Sequence, residues 1–266
     1  MTTVDKEAQR TTLVIHPSGV ATRDFRRAYR DVHCEAQLNS NLDHGASPLL
    51  GVVTIGQSPR RDLALAFEAH APGARVTMRG ALDGLSAAEV DRLITVTTDY
   101  PLLVRLNDRP ACAIAREVLH PLVQQRASEL AAEGARAVVI ACAGAFPEIT
   151  CDAPLVVPGK VVPAIIGAIT TSRRIGVVTP IEGQVKAAGD KWHNDGFDPV
   201  VTWASPLLHA EITRASAVMR SADVSLVVLD CMGHDEAYAA EFAERSGARV
   251  VTAQSLTARV AGEWMR

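Results

Sequence analysis

The stretch Ala137-Val138-Val139-Ile140-Ala141-Cys142-Ala143-Gly144 has a second version in Ser225-Leu226-Val227-Val228-Leu229-Asp230-Cys231-Met232-Gly233. Each is an apolar run that ends in a cysteine and a glycine turn. Uninterrupted Val, Ile and Leu suit a strand covered on both faces, as strands of parallel sheets are. Open α/β folds gather their ligands at the carboxyl ends of such strands, so both thiols are expected at one cleft. Opposed thiols can remove a proton from one face of a carbon and return one to the other.

Outward from these runs, the chain alternates strand and helix. Leu50–Ile55 reads as a strand, Gly56–Arg60 as a turn and Arg61–His70 as a helix, with Pro59 expected in its first turn. Ala74–Met78 is a second strand, and Ser86-Ala87-Ala88-Glu89 has the form of a capping box. Leu102, Val104 and Leu106 alternate before an Asn107-Asp108-Arg109-Pro110 turn, which predicts a hairpin returning through Ala111–Ile114. A helix from about Ala115 to Glu133, stopped by Gly134, leads into the first cysteine strand. The second half repeats the plan: strand Arg174–Thr179, helix Gln184–Asn194, strand Pro199–Trp203, helix Leu208–Ser221 and the second cysteine strand. Helix Glu236–Arg245, strand Ala248–Val251 and helix Leu256–Trp264 complete it.

This spacing predicts an α/β fold of two pseudo-symmetric lobes, each a parallel β-sheet flanked by helices, with a cleft between them. The lobes are expected over residues 49–170 and 171–253, with a C-terminal helix over 254–266 able to pack back on the first. Residues 1–48, where Arg23, Arg26, Arg27 and Arg30 crowd a polar stretch, read as an N-terminal extension with the composition of a flexible leader.

A hydrophobic content of 48% and a net charge of -3 in 266 residues offer no electrostatic case for nucleic acid or an anionic membrane as partner. Five cysteines without a CxxC pair indicate neither a disulfide framework nor a zinc ribbon and fit a reducing cytoplasm best. Neither a signal peptide nor an apolar run of ~18 residues is present. The expectation is a cytoplasmic protein acting on a small-molecule carboxylate without cofactor or metal, with a homo-oligomer left open.

Amides of the glycine turns and of the helices after them are expected to lower the pKa of Cys142 and Cys231. The backbone at Ala143, Gly144, Met232 and Gly233 is expected to form a carboxylate nest. The loop after the first strand ends at the same sheet edge, making Gln57, Ser58 and Arg60 candidate carboxylate ligands, the arginine by a bidentate fork. Ser58 suits a helix N-cap equally well. His234 could polarise or protonate a substrate group. Alternation points Asp230 away from the face of Cys231. Arg105 and Asp99 are candidates for the cleft wall. Cys112 and Cys151 read as bystanders, and His120 and His193 as packing or surface residues.

Several separated motifs together resemble the AroM family: Thr54-Ile55-Gly56-Gln57-Ser58-Pro59-Arg60, Gly80-Ala81-Leu82-Asp83-Gly84-Leu85, Leu103-Val104-Arg105-Leu106, Cys142-Ala143-Gly144-Ala145-Phe146-Pro147, Lys191-Trp192 and Leu229-Asp230-Cys231-Met232-Gly233. The resemblance runs from about Leu50 to Trp264. That family is similar to the aspartate/glutamate/hydantoin racemase superfamily, which implies two pseudo-symmetric lobes with one cysteine from each. It further implies that Cys142 and Cys231 are the two acid/base groups of a cofactor-independent reaction. Racemases of this kind carry Asn or Thr directly after each cysteine, where this chain has Ala143 and Met232.

The leading expectation is therefore a racemase or epimerase of a small carboxylate, working by two-cysteine proton transfer at Cα. Two alternatives stand beside it. One is an isomerase or decarboxylase of the same fold that uses one cysteine, in the manner of maleate isomerase or arylmalonate decarboxylase. The other is a carboxylate-binding or regulatory protein without turnover.

Overall fold

The computed structural model describes residues 47–94 and 98–266. The extension expected over residues 1–48 lies, up to residue 46, outside them. In the first lobe the chain runs β1 (Leu49–Thr54), α1 (Arg61–His70), β2 (Arg75–Gly80), α2 (Ala87–Ile94), β3 (Pro101–Val104), β4 (Cys112–Ala115), α3 (Arg116–Ala132), β5 (Ala137–Ile140), β6 (Leu155–Val156) and α4 (Pro158–Ile169). It continues with β7 (Arg174–Thr179), a 3-10 turn (Glu182–Gln184), α5 (Val185–Asn194), β8 (Asp198–Trp203), α6 (Ala210–Ser221), β9 (Leu226–Leu229), α7 (Glu236–Ser246), β10 (Arg249–Thr252) and α8 (Ala253–Glu263).

Among the described residues these strands form two four-stranded parallel sheets, ordered β2-β1-β5-β6 and β8-β7-β9-β10, and the antiparallel hairpin β3-β4. The two orders match strand for strand, so the lobes share one topology, and the fold is the expected two-lobed α/β one. β1 and β7, at equivalent places, both read Gly-Val-Val-Thr, at 51–54 and 176–179. Their side chains alternate between two helical layers. In the first lobe Leu50 and Val52 meet Leu63 and Phe67 of α1, while Leu49 and Val53 meet Leu119, Val123 and Leu130 of α3. In the second, Ile175 and Val177 share a cluster with Trp192 of α5, and Val178 packs with Ile212 and Met219 of α6. Full burial of each such side chain stabilises the fold by roughly 1.5–3 kcal/mol. The paired glycines let the second layer approach: a Cβ on Gly51 would lie 3.0 Å from the Leu130 Cβ, and one on Gly176 would lie 2.5 Å from the Met219 Sδ.

One apolar cluster holds residues of both sheets together, with Val162 and Ile166 of α4 and Ala258 and Ala261 of α8. α8 follows a strand of the second lobe but packs on α1 of the first, so closely that a Cβ on Gly262 would fall 2.0 Å from the His70 carbonyl oxygen.

The local signals at Ser86 and Pro59 have different outcomes. The capping box closes, since the Ser86 N–H and hydroxyl donate to Glu89 Oε2 at 2.8 and 2.7 Å while the Glu89 N–H donates to Ser86 Oγ at 3.3 Å. Pro59, however, lies outside α1, whose N-cap is Arg60 with no side-chain capping bond. Ser58 is therefore not a cap; its hydroxyl is drawn away to Asp83. No helix among the described residues is long and apolar enough to cross a membrane.

Candidate active site

Cys142 and Cys231 stand two residues beyond β5 and β9, at equivalent ends of the two sheets. Both border a single cavity of about 40 Å³, one from each lobe. Glycine two residues on gives each sulfur its neighbour: a Cβ would lie 3.5 Å from Cys142 Sγ at Gly144 and 3.6 Å from Cys231 Sγ at Gly233. The Gly233 N–H donates to Cys231 Sγ at 3.3 Å, and the Gly144 amide serves Cys142 likewise.

These amides do not produce the low thiol pKa expected from the sequence. Burial pushes Cys142 up to about 12, against the Gly144 amide; the charges of Cys231 and Asp230 add to the rise and Lys191 opposes it. Burial likewise pushes Cys231 up to about 11, with the Gly233 amide and Arg60 opposing. Removing a thiolate from water outweighs one hydrogen bond and one nearby cation. The expectation of helix starts behind both cysteines also fails for one. α7, capped by the Asp235 side chain on the Tyr238 N–H, follows Cys231, but residues 141–154 between β5 and β6 contain no helix.

That first loop is held from outside instead. The Tyr100 hydroxyl accepts from the Ala145 N–H at 2.9 Å, and Arg116, stacked 4.6 Å from the Tyr100 ring centroid, donates to the Ala145 carbonyl at 3.1 Å. From the second lobe Lys191 Nζ donates to the Ala143 carbonyl at 3.0 Å and to both oxygens of Asp230 at 3.2 and 3.1 Å. The pair is buried, with side chains 8% and 4% exposed. Trp192 completes the group by donating Nε1–H to Asp230 Oδ2 at 2.9 Å. Asp230 thus borders the cavity while its carboxylate is taken up by Lys191 and Trp192. The second cysteine loop is held by Gln254, which donates to the Met232 carbonyl at 2.9 Å.

The structure separates the other candidate residues. Arg60 and Arg105 border the cavity, together with Ala143, Gly144, Met232 and Gly233. Both arginines grip Asp62: Arg60 by a fork of 2.9 and 2.6 Å, Arg105 by Nη1 at 3.2 Å. Burial raises the Asp62 carboxyl, but the hydrogen bond and charge of Arg60 and the charge of Arg105 outweigh it and leave the group below its usual value.

Gln57 and Ser58 do not reach the cavity wall. The Gln57 amide oxygen accepts from the Asn107 N–H at 2.9 Å, and Ser58 gives its hydroxyl and N–H to Asp83 at 2.6 and 2.8 Å. Gly56 must be bare here, because a Cβ would lie 2.2 Å from the Arg105 carbonyl oxygen. The motifs at residues 54–60, 80–85 and 103–106 therefore meet as one scaffold that aims Arg60 and Arg105. His234 is also off the cleft. Fully buried behind Cys231, it meets the Ala204 carbonyl through Nε2 at 3.0 Å and the Tyr238 ring at 4.6 Å between centroids. The turn after the cysteine carries its ring into the core of the second lobe.

Gln184 is a wall residue that the sequence did not mark; its Nε2 donates to the Pro101 carbonyl across the lobes at 2.7 Å. Asp99 lies on a neighbouring groove, and Cys112 and Cys151 do not line the cavity. Among the described residues no group of three or more His, Cys, Asp or Glu is placed to hold a metal ion.

Comparison with known proteins places this arrangement. The family model described as AroM protein matches residues 50–265. Arylmalonate decarboxylase shares the fold at TM-score 0.53 and 17% identity, over 82% of this chain and 93% of that one. Allantoin racemase from Klebsiella pneumoniae does so at 0.54 and 14%, over 82% and 87%, and Picrophilus torridus aspartate racemase at 0.53 and 9%, over 82% and 94%. None of the curated proteins matches the chain.

Proposed function

The chain belongs to the AroM family, and on that premise we propose that it is a cofactor-independent racemase or epimerase of a small carboxylate. The observation that supports this most directly is the placement of one cysteine from each lobe, at equivalent strand ends, on the wall of one cavity. The fold shared with racemases and a decarboxylase agrees with an enzyme of this broad kind.

In the proposed step one cysteine, as thiolate, takes the proton from Cα of the bound acid. The C–H electron pair moves toward the carboxylate, and the other cysteine, as thiol, gives its proton to the opposite face. The first has become a thiol and the second a thiolate, so the reverse reaction starts from the exchanged pair. Because burial holds both thiols high, the working thiolate is a minor species at neutral pH. For a pKa of about 11 it amounts to on the order of one molecule in 10⁴. The Gly144 and Gly233 amides and the cations Lys191 and Arg60 are the groups that stabilise it. They also make the cavity favourable to the negative charge that develops on the substrate.

The test is incorporation of solvent deuterium at Cα together with loss of optical rotation, in the intact protein and in Cys142→Ser and Cys231→Ser. Both variants should lose racemisation by more than 10³-fold, the scale expected when a group that moves the proton is removed. Full turnover by either one would sink the two-base reading.

A further inference from the structure

Resting on the reading of this cavity as an active site, we infer that its substrate is a monocarboxylate with an apolar body and no ammonium group on the reacting carbon. Four features of the wall carry this.

The side chains able to meet an anion, Arg60 and Arg105, stand together on the first lobe. With Asp62 they sum to one net positive charge, and the Lys191–Asp230 pair sums to zero. A single carboxylate therefore neutralises the site. A zwitterion, with no net charge, would leave that positive charge uncompensated.

An ammonium group would find neither nearby carboxylate free. Asp62 is already engaged by both arginines, one oxygen accepting from each of them. Asp230 accepts from Lys191 on both oxygens and from the Trp192 indole. A buried cation with no anion to pair with costs several kcal/mol, and here it would also face two guanidinium groups.

Beyond the charged groups, Gln184 is a polar side chain of the wall, with its Nε2 given to the Pro101 carbonyl, and the other candidate positions are closed or apolar. Ala143 and Met232 follow the two cysteines, Gln57 and Ser58 are spent on the loop scaffold, and His234 is behind the wall. Leu102, Ile55 and Pro206 are apolar residues of the remaining wall.

The inference is tested with pairs of acids that differ only by methyl in place of ammonium: isobutyrate against alanine, and 2-phenylpropionate against phenylglycine. Binding to the full chain is measured by calorimetry or by protein NMR titration at pH 7. In at least one pair the methyl acid should bind more than tenfold tighter than its ammonium counterpart, and Arg105→Gln should weaken it at least fivefold. A ratio below tenfold in both pairs, or no binding by any of the four at 20 mM, overturns the inference. So does unchanged affinity in Arg105→Gln, where circular dichroism confirms the fold. Binding is read without turnover, so the two readings fail separately. A clear preference without deuterium exchange sinks only the racemase, and exchange on alanine without the preference sinks only the substrate class.

Discussion

Lys191, on a helix of the second lobe, donates to the carbonyl of Ala143, the residue that follows Cys142 in the first. The same ammonium is locked to Asp230, the residue before Cys231. A single side chain thus ties both cysteine loops to one point. Removing one member of a buried ion pair leaves the other charged and unpaired, which costs about 3–5 kcal/mol. Lys191→Met should lose that much stability in urea unfolding, while the double variant Lys191→Met/Asp230→Asn recovers part of it. A simple sum of the two single losses would show that the pair is not coupled. Because the ammonium opposes the rise in the Cys142 pKa, Lys191→Met should also slow alkylation of Cys142.

The raised thiol pKa values fix the pH behaviour of the site. With Cys231 pushed up to about 11 and Cys142 to about 12, each thiolate fraction grows about tenfold per pH unit through neutrality and reaches no plateau below pH 10. Site-resolved mass spectrometry of iodoacetamide labelling should follow that slope at both peptides. A plateau at pH 7–8 would mean that the cavity stabilises the thiolate far better than its amides and cations suggest.

Much of this molecule was legible in the residues because the signals were local. The twin runs ending at Cys142 and Cys231, the capping box at Ser86 and the hairpin turn at Asn107–Pro110 each depend on neighbours a few positions away. α4 has no counterpart in the sequence reading; it holds Pro163 in its interior and Pro158 in its first turn, where a proline has no N–H to waste. At the site, strand ends located the thiols and Arg60, but long-range packing decided the rest. Ser58 answers to Asp83, 25 residues on, and Lys191 reaches a carbonyl 48 residues back. No spacing rule announces such contacts. The sign of the thiol shifts escapes the sequence for the same reason: desolvation comes from what packs around each thiol in the fold and not from the loop that carries it.

The packing of α8 on α1 can be probed at one atom. A Cβ at Gly262 would fall 2.0 Å from the His70 carbonyl oxygen, a backbone atom that cannot rotate aside. Gly262→Ala should therefore push the helices apart and destabilise the fold by about 1–3 kcal/mol, the usual cost of overfilling a packed contact. Gly189→Ala, whose nearest contact would be an ordinary 3.7 Å, should cost far less or stabilise α5. Equal melting temperatures for the two variants would contradict the close approach.

His234 is expected to govern acid stability rather than catalysis. Its Nε2 faces the Ala204 carbonyl, which only accepts, so the neutral ring carries its proton there. Nδ1 is buried without a hydrogen-bond partner among the described residues. A second proton would put a charge in that dry setting, and burial lowers the pKa from 6.5 to about 4, against the small favourable influences of the Ala204 carbonyl and Asp235. Below pH 6.5 the unfolded chain takes up the proton while the folded one refuses it until about pH 4. The unfolded state therefore gains as pH falls across that window, by about 3 kcal/mol in all. His234→Gln should lose stability at pH 7.5 through poorer packing on Tyr238, yet show a shallower decline between pH 6.5 and 4 than the parent. Parallel declines in urea midpoints measured across that range would show that the histidine ionises as freely folded as unfolded, and would place the acid sensitivity with the carboxylates instead.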